Sequence, residues 1–292
     1  MVHHNRVNHY RLGRQVSPPG GVSGMVSGAV AGNFDFVAIF AAGIAAGMVN
    51  SIAGGGTLLS FPVLLWLGRD PIVANATNAI SLFPGSLASA FGFRREIAGV
   101  RPLLMLLLPP SVIGGILGAG LLLVTPSRVF STLIPYLILM ATALIALKHP
   151  LERVFRRPSA SAMGDAGATP PRTHGNTVLV VGQLLVAIYG GYFGAAMGIM
   201  MLAAYGLAGL GDIHQRNGLK TVSATVINGI AGVVFVVSGA VAWKDAALLS
   251  AGAVIGGYAG AAVGRRMKPR AIEILVVLIG LGATVLQLVR SH

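Results

Sequence analysis

Eight stretches of this chain contain no Asp, Glu, Lys or Arg: residues 36–68, 71–93, 102–127, 129–147, 177–211, 221–243, 246–264 and 274–289. Most reach the roughly 20 apolar residues that cross a bilayer. In hydrocarbon a backbone N–H or C=O meets no water, so a spanning segment must satisfy its own hydrogen bonds, as only helices and closed barrels do. These stretches are too long for barrel strands and show no alternation of polar and apolar residues, the run 103–108 being continuous. The sequence predicts an all-α integral membrane protein of about eight transmembrane helices.

The charged residues agree with that class. They are 10% of the chain, against about 25% in a globular domain, and the net charge of +13 comes from 21 basic and 8 acidic residues. Arg94, Arg95, Arg101, Arg153, Arg156, Arg157, Arg265, Arg266, Lys268 and Arg270 lie between the apolar stretches. Basic clusters there set orientation by the positive-inside rule and meet anionic lipid. Membrane lipid, not nucleic acid, is the expected macromolecular neighbour, and a multi-pass protein of the plasma (inner) membrane is the expected location. Without cysteine, disulfides, thiol catalysis and thiolate metal sites are excluded.

Residues 1–33 form a basic, Gly/Ser-rich tail without the short apolar core of a cleavable signal peptide. The first crossing is expected to act as its own insertion signal, and composition makes Met25 a candidate translation start. The polar interval 148–176, with Pro158, Pro170 and Pro171, reads as a linker between two repeats of four helices, 34–147 and 177–292. At an offset of 143, Gly47 meets Gly190, Gly55 meets Gly198, Gly68 meets Gly211, Gly114 meets Gly257 and Pro126 meets Pro269. Four crossings per half predict parallel repeats. On that count the basic loop 265–270 falls outside, against the positive-inside rule.

The first stretch of each half is over-long: about 33 helical residues measure roughly 50 Å against a hydrocarbon core of about 30 Å. Each is expected to break, tilt or re-enter, the first at Gly54-Gly55-Gly56 and the second across residues 189–198, which hold Gly190, Gly191, Gly194 and Gly198. Unwound backbone at membrane depth is tolerated only against protein or a water-filled cavity, so paired breaks point to a transport site. Isolated glycines such as Gly118 and Gly260 read as close helix packing.

Around the breaks stand neutral donors and acceptors, Asn50, Ser51, Thr57, Ser60, Asn75, Thr77, Asn78 and Ser81, and in the second half Asn217, Thr221, Ser223, Thr225 and Asn228. Lys220, at the repeat position of Thr77, reads as the only Lys or Arg clearly within a crossing. It is either an anion ligand or a side chain that snorkels to the interface. A helix resuming at Thr57 offers its positive N-terminal end to an anion. The eight acids fall in loops or at segment ends, so no carboxylate relay is visible. An inside-negative potential favours anion export by roughly 2.3 kcal/mol per charge per 100 mV. The histidines show no metal-ligand spacing, and metalloprotease, lipase and phosphate-binding-loop motifs are absent. The residues indicate a transporter without a cofactor, not an enzyme.

The run 47–57, with Asn50, Gly54, Gly55, Gly56 and Thr57, followed by Pro62 and the block Ala74-Asn75-Ala76-Thr77-Asn78, resembles the opening signature of the sulfite exporter TauE/SafE family. The resemblance covers about residues 36–289. It implies a transporter of sulfite, sulfoacetate or another sulfur-containing organic anion across the bacterial plasma membrane, and carries Asn50, Gly54, Gly55, Gly56, Thr57, Pro62, Thr77 and Asn78 over as the first-half site. The second half departs from the pattern in bringing Lys220 before Thr221. The expected substrate site is thus Asn50, Gly54–Gly56, Thr57, Pro62, Thr77, Asn78, Gly190, Gly191, Gly194, Gly198, Lys220 and Thr221, with Asn50, Asn78 and Lys220 as ligands while the two repeats rock. Export of a small anion is the leading expectation. Uptake of an organic acid or sulfonate is the alternative, ahead of a membrane enzyme or assembly factor.

Overall fold

The computed structural model describes residues 22–52, 54–92, 94, 100–147, 173–208, 210, 213–263 and 270–291. The chain divides into two units, Met1–Asp35 and Phe36–His292, and the packing below concerns the second. Among the described residues all regular structure is helical. The first five helices are α1 (Val22–Ile52), α2 (Thr57–Trp66), α3 (Pro71–Gly92), α4 (Arg101–Val124) and α5 (Ser127–Ala146). The second five are α6 (Thr173–Tyr192), α7 (Met197–Leu207), α8 (Ile213–Val237), α9 (Trp243–Val263) and α10 (Arg270–Ser291). α1 thus begins inside the interval expected as a tail and α6 inside that expected as a linker, most of which lies outside the described residues.

Among the described residues, five helices are long and apolar enough to cross a membrane: Phe34–Ile52, Arg101–Val124, Ser127–Ala146, Gln215–Val237 and Trp243–Ala262. Local chemistry fixes their ends. Pro71 opens α3 and Pro102 lies in the first turn of α4, where the N–H that proline lacks would have no helical partner. α2 ends on Gly68 at φ 76°, with the Arg69 N–H returning to the Leu64 carbonyl at 3.2 Å. That is the left-handed closure glycine makes at low cost.

The helices pack through glycine. A side chain on Gly43 would lie 2.5 Å from the Leu249 carbonyl oxygen, and Gly252, Gly256 and Gly260 of α9 would likewise strike the backbone of Phe40, Ile44 and Met48. α4 meets α6 in the same way, Gly191 approaching the Gly115 carbonyl and Gly118 that of Ile188. Without a hydrophobic drive between helices in lipid, such backbone contact is a principal source of association.

These contacts also give direction. Residue numbers rise together between α1 and α9, between α3 and α9 (Thr77 with Ala242, Gly85 with Ala253) and between α4 and α6. They run oppositely between α3 and α8, where Gly229 meets Phe83 and Gly232 meets Ile80. α2 doubles back on α1, Gly56 lying against Ala46 and Asn50, and α7 doubles back on α6, Met197 lying against Gly190. From α1 to α6 the chain therefore reverses an odd number of times, and α6 runs opposite to α1. The parallel arrangement expected from four crossings per half does not hold, because each break returns the chain instead of continuing the helix.

Gly256→Val should destabilise the protein by about 1–3 kcal/mol or prevent its accumulation, because the new side chain meets the Ile44 backbone. Gly120→Val, with nothing within 4 Å, should leave the thermal midpoint in detergent unchanged.

Candidate functional site

The two breaks meet. Beyond α1 the chain turns at Gly54, whose φ is 80° and whose N–H returns to the carbonyls of Val49 and Asn50 at 3.1 Å. Beyond α6 it turns at Gly194, φ 77°, and at Ala196, which holds a left-handed φ of 60° without being glycine. A side chain on Gly54 would lie 2.8 Å from the Gly198 Cα, and one on Gly198 would lie 2.9 Å from the Gly54 Cα. Only glycine at both positions lets the backbones touch.

α2 and α7 start from this contact and run toward opposite faces. Neither N-cap, Gly56 or Ala196, supplies a side-chain hydrogen bond to the first turn. Two helix N-termini, each carrying about half a positive charge, thus converge near the middle of the bundle.

Beside the contact is a cavity lined by Asn50, Ser51, Gly54, Ser86, Ser89, Gly198, Lys220, Thr221 and Ala224. Its free space holds about one water molecule. Asn50 Nδ2 donates to Ser86 Oγ at 3.0 Å, and the hydroxyls of Ser51 and Ser89 are 2.7 Å apart, so α3 fixes the polar end of α1. Lys220 is 2% exposed. Its Nζ is 3.4 Å from the Ser51 carbonyl oxygen, at the negative end of α1. The side chain is buried at the break. Six of its nine lining residues carry polar side chains, one of them a cation and none a carboxylate. The cavity lies toward the face where α3 ends and α4, α6 and α8 begin.

The expected site residues divide. Asn50, Gly54, Gly198, Lys220 and Thr221 line the cavity. Asn78 instead donates to Thr57 Oγ1 at 3.2 Å and accepts from Ser60, tying α2 to α3. Thr77 Oγ1 accepts from the Ala242 N–H at 2.9 Å. Pro62 is buried within α2. Gly55, Gly56, Gly190 and Gly191 each admit a neighbour that a side chain would displace: Ile145, Ala46, Met197 and Gly115. Gly194 serves its positive φ.

Sequence reasoning left Ser51 out of the site and missed Ser86, Ser89 and Ala224. The signal was available in part, since Ser86 and Ser89 stand three apart on one face of a helix otherwise apolar at that end. It also missed a second buried cation. Arg216, 7% exposed, lies one turn before Lys220 on α8, so Lys220 is not the only basic side chain within a helix interior. The bidentate pair of Arg69 with Asp245 ties the α2–α3 turn to the start of α9 on the face opposite the cavity.

The model of the family "Sulfite exporter TauE/SafE" matches residues 39–286. Relatives include a "Probable membrane transporter protein ORF9" of Sinorhizobium sp, 26% identical over 85% of this chain and 90% of its own. A "Probable membrane transporter protein" of Haemophilus influenzae is 29% identical over 84% of this chain and 91% of its own. The "Probable membrane transporter protein YfcA" of Escherichia coli K12 is 26% identical over 92% of this chain and 93% of its own. No solved structure matches the chain.

Asn78→Leu should cost about 1–3 kcal/mol in chemical unfolding, because it strips the buried Ser60 hydroxyl and Thr57 of a partner. Thr221→Val, which removes a hydroxyl already turned onto its own helix at Asn217, should cost less than half as much.

Proposed function

The chain belongs to the sulfite exporter TauE/SafE family of membrane transporters, and from that premise we propose that it exports a compact oxyanion, sulfite or a small sulfonate, by alternating access around the cavity between the two breaks. The observation that carries this reading is a cavity at the crossing of the two breaks, lined by a buried lysine, neutral donors and Gly198 in the first turn of α7, with no carboxylate among its lining residues. A cation site would want the reverse, carboxylates or carbonyl cages. Cavity space for about one water is too small for sulfite, so loading requires the breaks to separate.

The architecture we propose has eight long helices as crossings, with α2 and α7, roughly 15 Å each, as half-length segments that start from the middle. The halves are inverted repeats. Helix starts support a shift of 140 for the broken pairs, Thr57 of α2 matching Met197 of α7 and Gly54 matching Gly194. Packing supports 142 for α3 with α8 and α4 with α9. Gly114 and Gly118 pack on α6 as Gly256 and Gly260 pack on α1. At that register Lys220 is the counterpart of Asn78, not of Thr77. Inverted repeats with discontinuous helices are a common transporter plan.

Inversion also supports an orientation. The face where α3 and α9 end and α4, α6 and α10 begin is joined by sequence holding Arg94, Arg95, Arg101, Arg153, Arg156, Arg157, Arg265, Arg266 and Lys268. The opposite turns hold Arg69, Arg128 and Lys244 against Asp70 and Asp245, a net charge of +1. Placing the basic face in the cytoplasm satisfies the positive-inside rule for the 265–270 loop too. The cavity then loads from the cytoplasm, and the membrane potential drives the anion out.

In proteoliposomes with an imposed potential, labelled sulfite or a two-carbon sulfonate should move at a rate that follows the potential. Lys220→Met should reduce that flux at least about tenfold, the loss of one charge-assisted hydrogen bond, while Lys220→Arg retains most of it. Unaltered flux in Lys220→Met would remove the lysine from the mechanism.

A further inference from the structure

Asn228 presents an unmet demand. It lies on α8, 5% exposed, and makes no hydrogen bond to any described residue. Its neighbours on that helix are served: Thr221 and Thr225 turn onto the carbonyls of Asn217 and Thr221 at 2.8 Å, and Ser223 meets the Tyr205 hydroxyl. A buried amide inside an apolar helix is costly without a partner and marks function by default.

The inverted register says what Asn228 corresponds to. At a shift of 142 it is the counterpart of Ser86, and at 140 Gly190 is the counterpart of Asn50. In one half Asn50 reaches from the broken helix to Ser86 at 3.0 Å. In the other the amide has moved to the crossing helix and the counterpart of Asn50 is Gly190, so the bond is absent. Gly191 and Gly194 stand where the cavity has Ser51 and Gly54, and Asn78 stands where it has Lys220. The space beside Gly190 is occupied by the Met197 sulfur, which a side chain there would approach within 2.7 Å. A thioether is flexible enough to swing aside.

We propose that Asn228, Asn78 and the 190–194 turn form a second oxyanion station on the face opposite the basic loops, opened when the Lys220 cavity closes. This rests on the export reading and deepens it. Eight residues, about 12 Å of helix, separate Lys220 from Asn228. An anion passing between them exchanges a cation for amide N–H donors, so it is held on the loading side and let go on the other. The lysine's asymmetric position, present in one half and asparagine in the other, makes the loading side the tighter-binding one, while the membrane potential sets the direction of net flux.

The chain has no cysteine, so a single Asn228→Cys reports accessibility without further changes. In oriented vesicles this thiol should react with an impermeant sulfonate-bearing methanethiosulfonate from the face opposite the basic loops only, and a saturating two-carbon sulfonate, which does not consume the reagent, should slow the reaction on the order of tenfold. Lys220→Cys should react from the basic face. Failure of Asn228→Cys to react from its own face, or its reaction from the basic face, overturns the second station while leaving the first intact. Modification of both thiols with no slowing by the two-carbon sulfonate overturns the oxyanion reading itself. As a separate readout, Asn228→Ala should raise the half-saturating sulfite concentration about tenfold on the face opposite the basic loops and leave the other unchanged. Equal shifts on both faces would contradict the proposal.

Discussion

Backbone left unpaired within a membrane must face protein or a polar cavity, and the rest of this molecule is arranged around the two places where that condition is met. Gly54 and Gly198 bring the interrupted chains into direct backbone contact. Each interruption reverses the chain, which makes the number of reversals from α1 to α6 odd, so that α6 runs opposite to α1. The same interruptions expose the N-termini of α2 and α7 to one another, with no side chain capping either. One local feature, glycine where two breaks cross, therefore sets the topology and the electrostatics of the centre.

Glycine elsewhere makes the surroundings rigid. α9 is pressed against α1 and α3 through Gly43, Gly47, Gly85, Gly252, Gly256 and Gly257, while α4 is pressed against α6 through Gly114, Gly118 and Gly191. Each set takes one helix from the other half of the sequence. The packing units are thus not the two sequence halves, and two four-helix repeats rocking as separate blocks would have to break these interfaces. Motion is better accommodated between α3 and α8, where Phe83 and Ile80 side chains rest in the gaps left by Gly229 and Gly232. Side-chain contacts of that kind can slide where backbone contacts cannot.

Much of this was legible in the sequence, and the limits were physical. Charge-free length gave the class, and excess length combined with Gly54-Gly55-Gly56 located the first break, because helix geometry admits few other outcomes. Direction was not legible, since a break that continues a helix and one that reverses it have the same composition. Letter matching at 143 also blurred two registers, 140 and 142, because α7 and the interval after it are each one residue longer than α2 and its interval. Asn50, Lys220 and Thr221 were found because polar groups near a break stand out. Ser86 and Ser89 were passed over because small hydroxyls usually bond their own helix, as Ser81 and Ser111 do here. Only the fold shows that these two face Asn50 and Ser51.

The central claim is that the crossing of the two breaks, beside Lys220, is where an oxyanion binds. Diffraction from crystals soaked in selenite tests it most directly, since selenite has the shape and charge of sulfite and selenium is located by its anomalous scattering. The account predicts a peak bounded by Lys220 Nζ, Thr221 and the Gly54 and Gly198 backbones, lost in Lys220→Met. Selenite bound elsewhere at saturating concentration, with this cavity empty, would contradict it.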